Sequence, residues 1–241
     1  MVRKSPMTSN SLPPGQREYP SFDRFGLGLF ANRLSRVVNE LNLSVGGNVA
    51  NSIVLNKAQL ECLPRKDIEA DFHCVTTWSV RNIKWSGYRF IDFYESIVKP
   101  QCNPYAEHSF VVLKAQDGYQ VSMQLKDLLR EDVLLADCLN GEPIGMDHGA
   151  PLRLVAPKHY GYKNAKHLSA IEFRANRKGY SFPFPYPNFM DHPRGRVEFE
   201  ERATLLPLWI IRPLYRLLQP GARKKCLKAL RKYNSAKKQI L

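Results

Sequence analysis

The stretch D-H-G-A-P-L-R-L-V-A-P-K-H-Y-G-Y-K-N-A-K-H-L-S-A-I-E-F, Asp147 to Phe173, decides how the rest of the chain is read. It reads as a turn, a short apolar strand over Leu152 to Pro157 with Arg153 embedded in it, and a second turn leading into another apolar run. His148, Arg153 and Lys166 are set along glycine-flexed backbone, a spacing that suits a phosphorylated ligand held by its anionic end. An arginine inside an inner strand needs an anionic partner.

Upstream, a helical turn is expected near Ala31 to Leu41, and Leu41, Leu43 and Val45 then alternate before Gly46-Gly47, a strand-and-turn pattern. Ser52 to Val54 reads as a second short strand, and Asn56 caps a helical turn that ends at Leu63. From Ile68 to Trp78 the alternation puts Ile68, Ala70, Phe72, Cys74 and Trp78 on one strand face. Tyr88 to Val98 reads as a helix with Phe90, Ile91, Tyr94 and Ile97 inward. Strands at Phe110 to Lys114 and Tyr119 to Leu125 flank a turn at Gln116-Asp117-Gly118. Lys126 to Leu135 reads as a short helix and Asn140-Gly141-Glu142-Pro143 as a turn. Downstream, Arg174 to Pro193 is a loop dense in aromatics and prolines that could close over a pocket.

With 241 residues and 44% hydrophobic content the chain can bury a substantial core. The expected fold class is α+β, mixed sheets with short helices. Its expected divisions are an arm over residues 1–38, partly disordered, a domain over 39–202 and a basic tail over 203–241. The formal charge of +14 comes from 36 Lys and Arg against 22 Asp and Glu. Residues 203–241 hold 10 of those basic residues and no acidic one, which leaves 26 against 22, or +4, for the remainder. No nucleic-acid-reading motif accompanies that charge, so no nucleic-acid partner is expected. The five cysteines include no C-x-x-C pair, which argues against a disulfide framework, a zinc ribbon, a cysteine-ligated iron–sulfur cluster and a C-x-x-C-H haem. The opening M-V-R-K-S-P-M-T-S-N-S-L-P-P-G-Q has neither an apolar signal core nor a twin arginine, so a polar arm and a cytoplasmic location are expected.

On residue physics alone Cys74 is first a small core residue. The alternative is a soft thiolate ligand to a transition metal, for which one cysteine suffices if a cofactor supplies the other donors. Three segments bear on that choice: D-F-H-C-V-T-T-W-S-V at 71–80, N-G-E-P-I at 140–144 and D-H-G-A-P-L-R-L-V-A-P-K-H-Y-G-Y-K-N-A-K-H-L at 147–168. In order and spacing they resemble the molybdopterin-binding domain of the sulfite oxidase family. The likeness spans Leu41 to Phe173, and H-P-R-G-R-V with L-P-L-W-I-I-R-P-L-Y-R, between 192 and 218, is similar to the tails of small bacterial members. D-H-G-x-P-x-R is its specific element.

The resemblance implies a fold like the sulfite oxidase molybdenum domain and an oxidoreductase that uses molybdenum–molybdopterin. It implies two-electron oxygen-atom transfer on a small sulfur- or nitrogen-oxide-type substrate. Cys74 matches the cysteine whose thiolate ligates molybdenum, the pterin dithiolene and oxygen ligands completing the set. His148 and Arg153 match residues that hold the pterin and its phosphate. Asn164, Ala165 and Lys166 match a tripeptide whose backbone amides and lysine complete the phosphate site. Tyr119 is a candidate catalytic phenol whose plain reading is a strand tyrosine. Arg81 and Lys163 read as surface cations with anionic substrate binding as the alternative, and His73 and His159 as structural.

Two departures follow from the same comparison. Sulfite oxidases proper carry an arginine a few residues after the ligand cysteine, whereas Cys74 is followed by V-T-T-W-S-V and Arg81 is offset. The chain is more similar to the short branch that includes the protein-methionine-sulfoxide reductase catalytic subunit, yet that branch's N-terminal pterin contacts, an Asn and a Tyr-Glu pair, have no match.

Without haem or iron–sulfur motifs, electrons need a separate redox partner. Leu205 to Leu218 is too short and too charged to span a bilayer. Residues 222–233 read as a basic amphipathic helix, and with Trp209 and Tyr215 nearby the pair reads as an anchor on anionic lipid at the inner membrane face, or a dock for a redox partner. The plain alternative is a packed C-terminal hairpin. The alternative to an enzyme is a non-catalytic basic membrane-peripheral or interaction protein on the same fold.

Overall fold

The computed structural model describes residues 11–36, 38 and 40–238, so the part of the expected polar arm at residues 1–10 lies outside the described residues. In chain order the elements are β1 (Arg17–Glu18), a 3-10 turn (Ala31–Arg36), β2 (Leu43–Gly47), β3 (Ile53–Leu55), α1 (Lys57–Glu61), β4 (Arg65–Cys74), β5 (Trp78–Arg89) and α2 (Phe90–Phe93). A wide helical turn (Tyr94–Cys102), β6 (Phe110–Ala115), β7 (Gln120–Gln124), α3 (Leu125–Leu128), β8 (Leu134–Leu139), β9 (Glu142–Pro143), β10 (Arg153–Val155), β11 (Leu168–Arg174) and α4 (Leu208–Lys238) follow. This is an α+β architecture of mixed sheets with, α4 apart, short helices.

One sheet runs β1-β5-β8-β10, with β4 also on β5 and β9 also on β8; the other runs β3-β2-β11-β6-β7. A core cluster draws on both, with Leu43, Val45, Val111, Leu113 and Ile171 from the second sheet meeting Tyr88, Leu135 and Leu154 from the first. A second cluster, around Ile83, Trp85, Leu134, Ala136 and Val155, covers the first sheet's other face together with Phe22 and Phe72.

Local chemistry accounts for most of these boundaries. Asn56 caps α1 and shares a capping box with Gln59,. Asn140 and Gly141 take φ values of 52° and 87°, the left-handed pair that closes the two-residue β8–β9 hairpin,. Three expectations differ from the structure. Ile68 to Trp78 is not one strand: the chain reverses after Cys74, and Trp78 pairs back across from it at the start of β5. The helix expected over Lys126 to Leu135 stops at Leu128, and Leu134 opens β8 instead. Successive β8 residues face different clusters, Leu135 one and Leu134 and Ala136 the other, so the strand is apolar on both faces and lacks a period of two,. The helix expected from Tyr88 begins at Phe90 and widens at Tyr94.

The two flanking segments pack on this frame. β1 pairs in parallel with the start of β5. The expected pair of C-terminal elements is a single helix, α4, which carries Pro213 and Pro220 within it and buries Ile211, Tyr215, Gln219, Cys226 and Ala229. Arg223 is ion-paired with Asp23, and Cys226 and Ala229 pack on Ala31, so α4 and residues 19–36 clasp each other. Among the described residues no helix is long and apolar enough to cross a membrane.

Candidate active site

Cys74 closes β4 at a three-residue hairpin, Val75-Thr76-Thr77, in which Thr77 donates its amide to Cys74 O at 3.2 Å. Thr77 sits at φ 71°, a left-handed conformation that a β-branched residue adopts only under constraint,. The constraint is visible on both sides of the loop. Gln16 Nε2 donates to Cys74 O at 3.1 Å, and Ser79 Oγ donates to Gln16 Oε1 at 3.2 Å. Fully buried Arg202 donates from Nη1 to Val75 O at 2.6 Å while lying over the Tyr160 ring. Neither Gln16 nor Arg202 stands out in the sequence, because each reaches the hairpin from far along the chain.

The hairpin forms one wall of a cavity of about 410 Å³. The side of this cavity built by the sheets and their loops includes Phe72, Cys74, Thr76, Asp117, Tyr119, Asn164, Lys166 and His167. Residues 24–28 and Phe30, the aromatic loop through Tyr186 and Met190, and α4 through Tyr215, Leu218, Ala222 and Lys225 complete it. Burial pushes the Cys74 thiol up to about 11, against the pull of the Thr76 hydrogen bonds and of Arg202 and Lys166. The thiol is therefore protonated at neutral pH, and a metal taking it as a ligand would displace that proton.

Four of the expected site residues meet here: Cys74, Tyr119, Asn164 and Lys166. Tyr119 donates its hydroxyl to Tyr162 O at 2.6 Å, so it offers the cavity an aromatic wall and a fixed oxygen. Asn164 is used inward, its Oδ1 accepting from Ala156 N at 2.6 Å. The Asn164 and Ala165 amides, expected on a phosphate, donate to Gly161 O and Lys163 O and close the turn. Lys166 donates to Asp147 O at 2.9 Å, and its amine is pushed down to about 7 by burial and by Arg153 and Arg24.

His148, Arg153 and Ala165 stand behind this wall. Arg153 is fully buried on β10; its Nη1 donates to His148 O at 2.8 Å and its guanidinium lies 4.8 Å from the Trp85 ring centre. Burial holds it down to about 9, and its partners are carbonyls and an aromatic face in place of the anion expected for it. His148 stacks on Phe22 with ring centres 4.6 Å apart, and its buried Nδ1 has no hydrogen-bond partner among the described residues. Lys163 is not the surface cation expected, and its amine is taken by a carboxylate of the protein itself. It is fully buried, bonded to Asp191 at 2.5 Å and to Ser122 O at 2.7 Å, which ties the turn to the aromatic loop. Arg81 sits 3.4 Å from Glu18. His73 bonds Ser79 Oγ at 2.7 Å, and His159 packs 3.6 Å from Asp127.

Residues 33–181, which carry the Cys74 hairpin, Asn164 and Lys166, match the family described as oxidoreductase molybdopterin binding domain. The chain belongs to that family. This molybdopterin-binding oxidoreductase is 34% identical over 173 residues to an uncharacterized oxidoreductase, YuiH, of Bacillus subtilis strain 168, covering 71% of this chain and 84% of the relative. It is 28% identical over 129 residues to a putative protein-methionine-sulfoxide reductase subunit, YedZ1, of Azospira oryzae, covering 54% of this chain and 47% of that protein. The sulfane dehydrogenase SoxCD of Paracoccus pantotrophus shares the fold at a TM-score of 0.50 and 20% identity, over 56% of this chain and 38% of that one. The chain thus spans less than half the length of those two proteins.

The residues fit the family's cofactor. Cys74 brings one soft thiol to the cavity lining, and a pterin dithiolene would supply the further sulfur donors of a metal's ligand set. Lys166, in the cavity lining, is a cation of the kind that suits the phosphate end of such a cofactor,.

Proposed function

We propose that this oxidoreductase carries out two-electron oxygen-atom transfer on a small sulfur- or nitrogen-oxide-type substrate, with the Cys74 thiolate ligating the molybdenum. The reading is carried by one observation: Cys74 and Lys166 line the same cavity. The bound cofactor would supply the two-electron redox chemistry and the oxygen acceptor or donor.

The chain's own residues hold and shape that site. Gln16, Arg202 and Thr76 fix the Cys74 hairpin. Lys166 takes the phosphate end, Asn164 and Ala165 shape the turn that presents it, and Arg153 holds the His148 carbonyl. Tyr119 contributes its ring and the hydroxyl oxygen that remains free to accept. Phe25, Phe30, Tyr186 and Met190 line the cavity with apolar surface, which favours a neutral oxide over a multiply charged oxyanion,. The putative sulfoxide reductase relative supports the sulfur-oxide half of this range, and its description as a subunit supports a separate electron partner.

The test is purification from a pterin-competent host. About one molybdenum and one pterin per chain is expected, with reduction of sulfoxides or N-oxides by an artificial donor. Cys74→Ser should lose molybdenum and turnover together. Full molybdenum in that variant would overturn the ligand assignment, and turnover of sulfite alone would overturn the substrate class.

A second reading concerns location. Leu205, just before α4, and Trp209 and Leu217 on it are 79%, 77% and 78% exposed, and the same helix carries Lys224, Lys228, Arg231 and Lys232 in solvent. This combination supports peripheral docking on an anionic lipid surface.

A further inference from the structure

Arg24 lies outside the family-matched span, in the segment that completes the cavity opposite the sheets. It is 8% exposed, and it lines the cavity together with Lys166, Asp117 and His167. The guanidinium is poorly used by the protein. Nη1 reaches Cys226 O and Nη2 reaches Phe30 O, both at 3.4 Å, the long limit of a hydrogen bond,. Among the described residues no carboxylate lies within 4 Å of it. A buried guanidinium with five donors and two long carbonyl contacts is an incomplete binding group.

The segment is nevertheless held firmly. Asp23 is ion-paired with Arg223, and Cys226 Sγ donates to Gly26 O at 3.6 Å, so α4 fixes the backbone on both sides of Arg24. Across the cavity the Lys166 amine has one carbonyl partner, Asp147 O. Arg24 and Lys166 repel each other across this space, and Arg24 is among the groups that push Lys166 down; Asp117 in the same lining and Asp147 offset part of that repulsion at longer range,.

We propose that Arg24 is a second cation for the phosphate end of the pterin, supplied by the N-terminal segment and acting with Lys166. A phosphate monoester offers three oxygens and close to two negative charges, enough for the planar fork of an arginine and the point charge of a lysine at once. The assignment also gives the N-terminal segment a cofactor contact, where the sequence showed none. It rests on the cofactor reading above.

The test compares wild type, Arg24→Gln, Arg24→Lys and Lys166→Ala. Cofactor-free chains from a pterin-deficient host are titrated with inorganic phosphate by calorimetry, and chains from a competent host are assayed for pterin and molybdenum. Losing a hydrogen-bonded charge contact predicts roughly ten- to a hundredfold weaker phosphate binding in Arg24→Gln, with pterin content falling as in Lys166→Ala and partial recovery in Arg24→Lys. If Arg24→Gln does not fold, a folded Arg24→Lys decides, because it keeps the charge and loses the fork; wild-type phosphate affinity in it overturns the proposal. Wild-type pterin content in Arg24→Gln, with only the KM for an anionic substrate raised, overturns it as well and reassigns the residue. A wild-type chain that holds no pterin overturns the cofactor reading and this proposal together, whereas loaded wild type and equally loaded Arg24→Gln remove only the latter.

Discussion

Lys166 shows how burial and neighbouring charge act on a single residue. Burial and then Arg153 and Arg24 hold its amine down to about 7, against an ordinary 10.5, with Asp147 pulling the other way. The charged form is therefore the costly one in the folded, cofactor-free protein. Below pH 7 Lys166 is charged both folded and unfolded, and the full penalty applies. Between pH 7 and 10.5 the folded chain gives up the proton while the unfolded chain keeps it, so stability rises with pH across that window. Lys166→Met should be more stable than wild type at pH 6.5, and the gap should close by about pH 10.5. Urea unfolding of both cofactor-free proteins at a series of pH values measures it, and a gap that stays constant with pH would show that the amine is solvated. The sequence located Lys166 through its motif, but it could not show that the neighbouring amides are spent within the turn, or that Lys163, three residues earlier, is buried on Asp191. Those depend on which atoms the fold leaves unpartnered.

The elements that carry the site were legible where a local rule determines them. The Asn56 cap, the Asn140-Gly141 hairpin and the strand before Asp117-Gly118 are each set by two or three adjacent residues. Elements whose shape depends on remote partners were not: the reversal after Cys74 is held by Gln16 and Arg202, and β8 hid its period because both its faces are buried. Gly149, in the D-H-G turn, belongs with the legible features. It takes φ 117°, and a Cβ there would lie 3.0 Å from Lys166 Cβ and 3.1 Å from Arg153 Cβ,. Gly149→Ala should therefore cost about 1–3 kcal/mol through backbone strain and push the Lys166 stem toward the cavity. The expected outcome is a lower urea midpoint together with a lower pterin content. A lower midpoint with full pterin content would mean that the turn relaxes without moving Lys166.

At the scale of the whole molecule, residues 33–181 supply Cys74, Asn164 and Lys166, while the segment around Arg24 and α4 complete the cavity from outside that span. The same helix that closes the site carries the exposed Trp209 and Leu217 and most of the molecule's excess positive charge, so the exposed apolar and basic surface and the cavity wall share one element. If that surface meets anionic lipid, two separable forces act. Each basic side chain near the surface contributes on the order of 1 kcal/mol, screened by salt, whereas inserted Trp and Leu contribute by burial, which salt does not screen. Co-sedimentation with anionic vesicles should therefore weaken as salt rises but level off above zero. Lys224→Gln with Lys228→Gln and Arg231→Gln should remove most of the salt-dependent part, and Trp209→Ser with Leu217→Ser should remove the residual part. These exposed positions are chosen because they leave the buried face of α4 intact. Equal binding of wild type to neutral and anionic vesicles would dismiss the electrostatic force, and binding to neither would dismiss the lipid reading of this surface altogether.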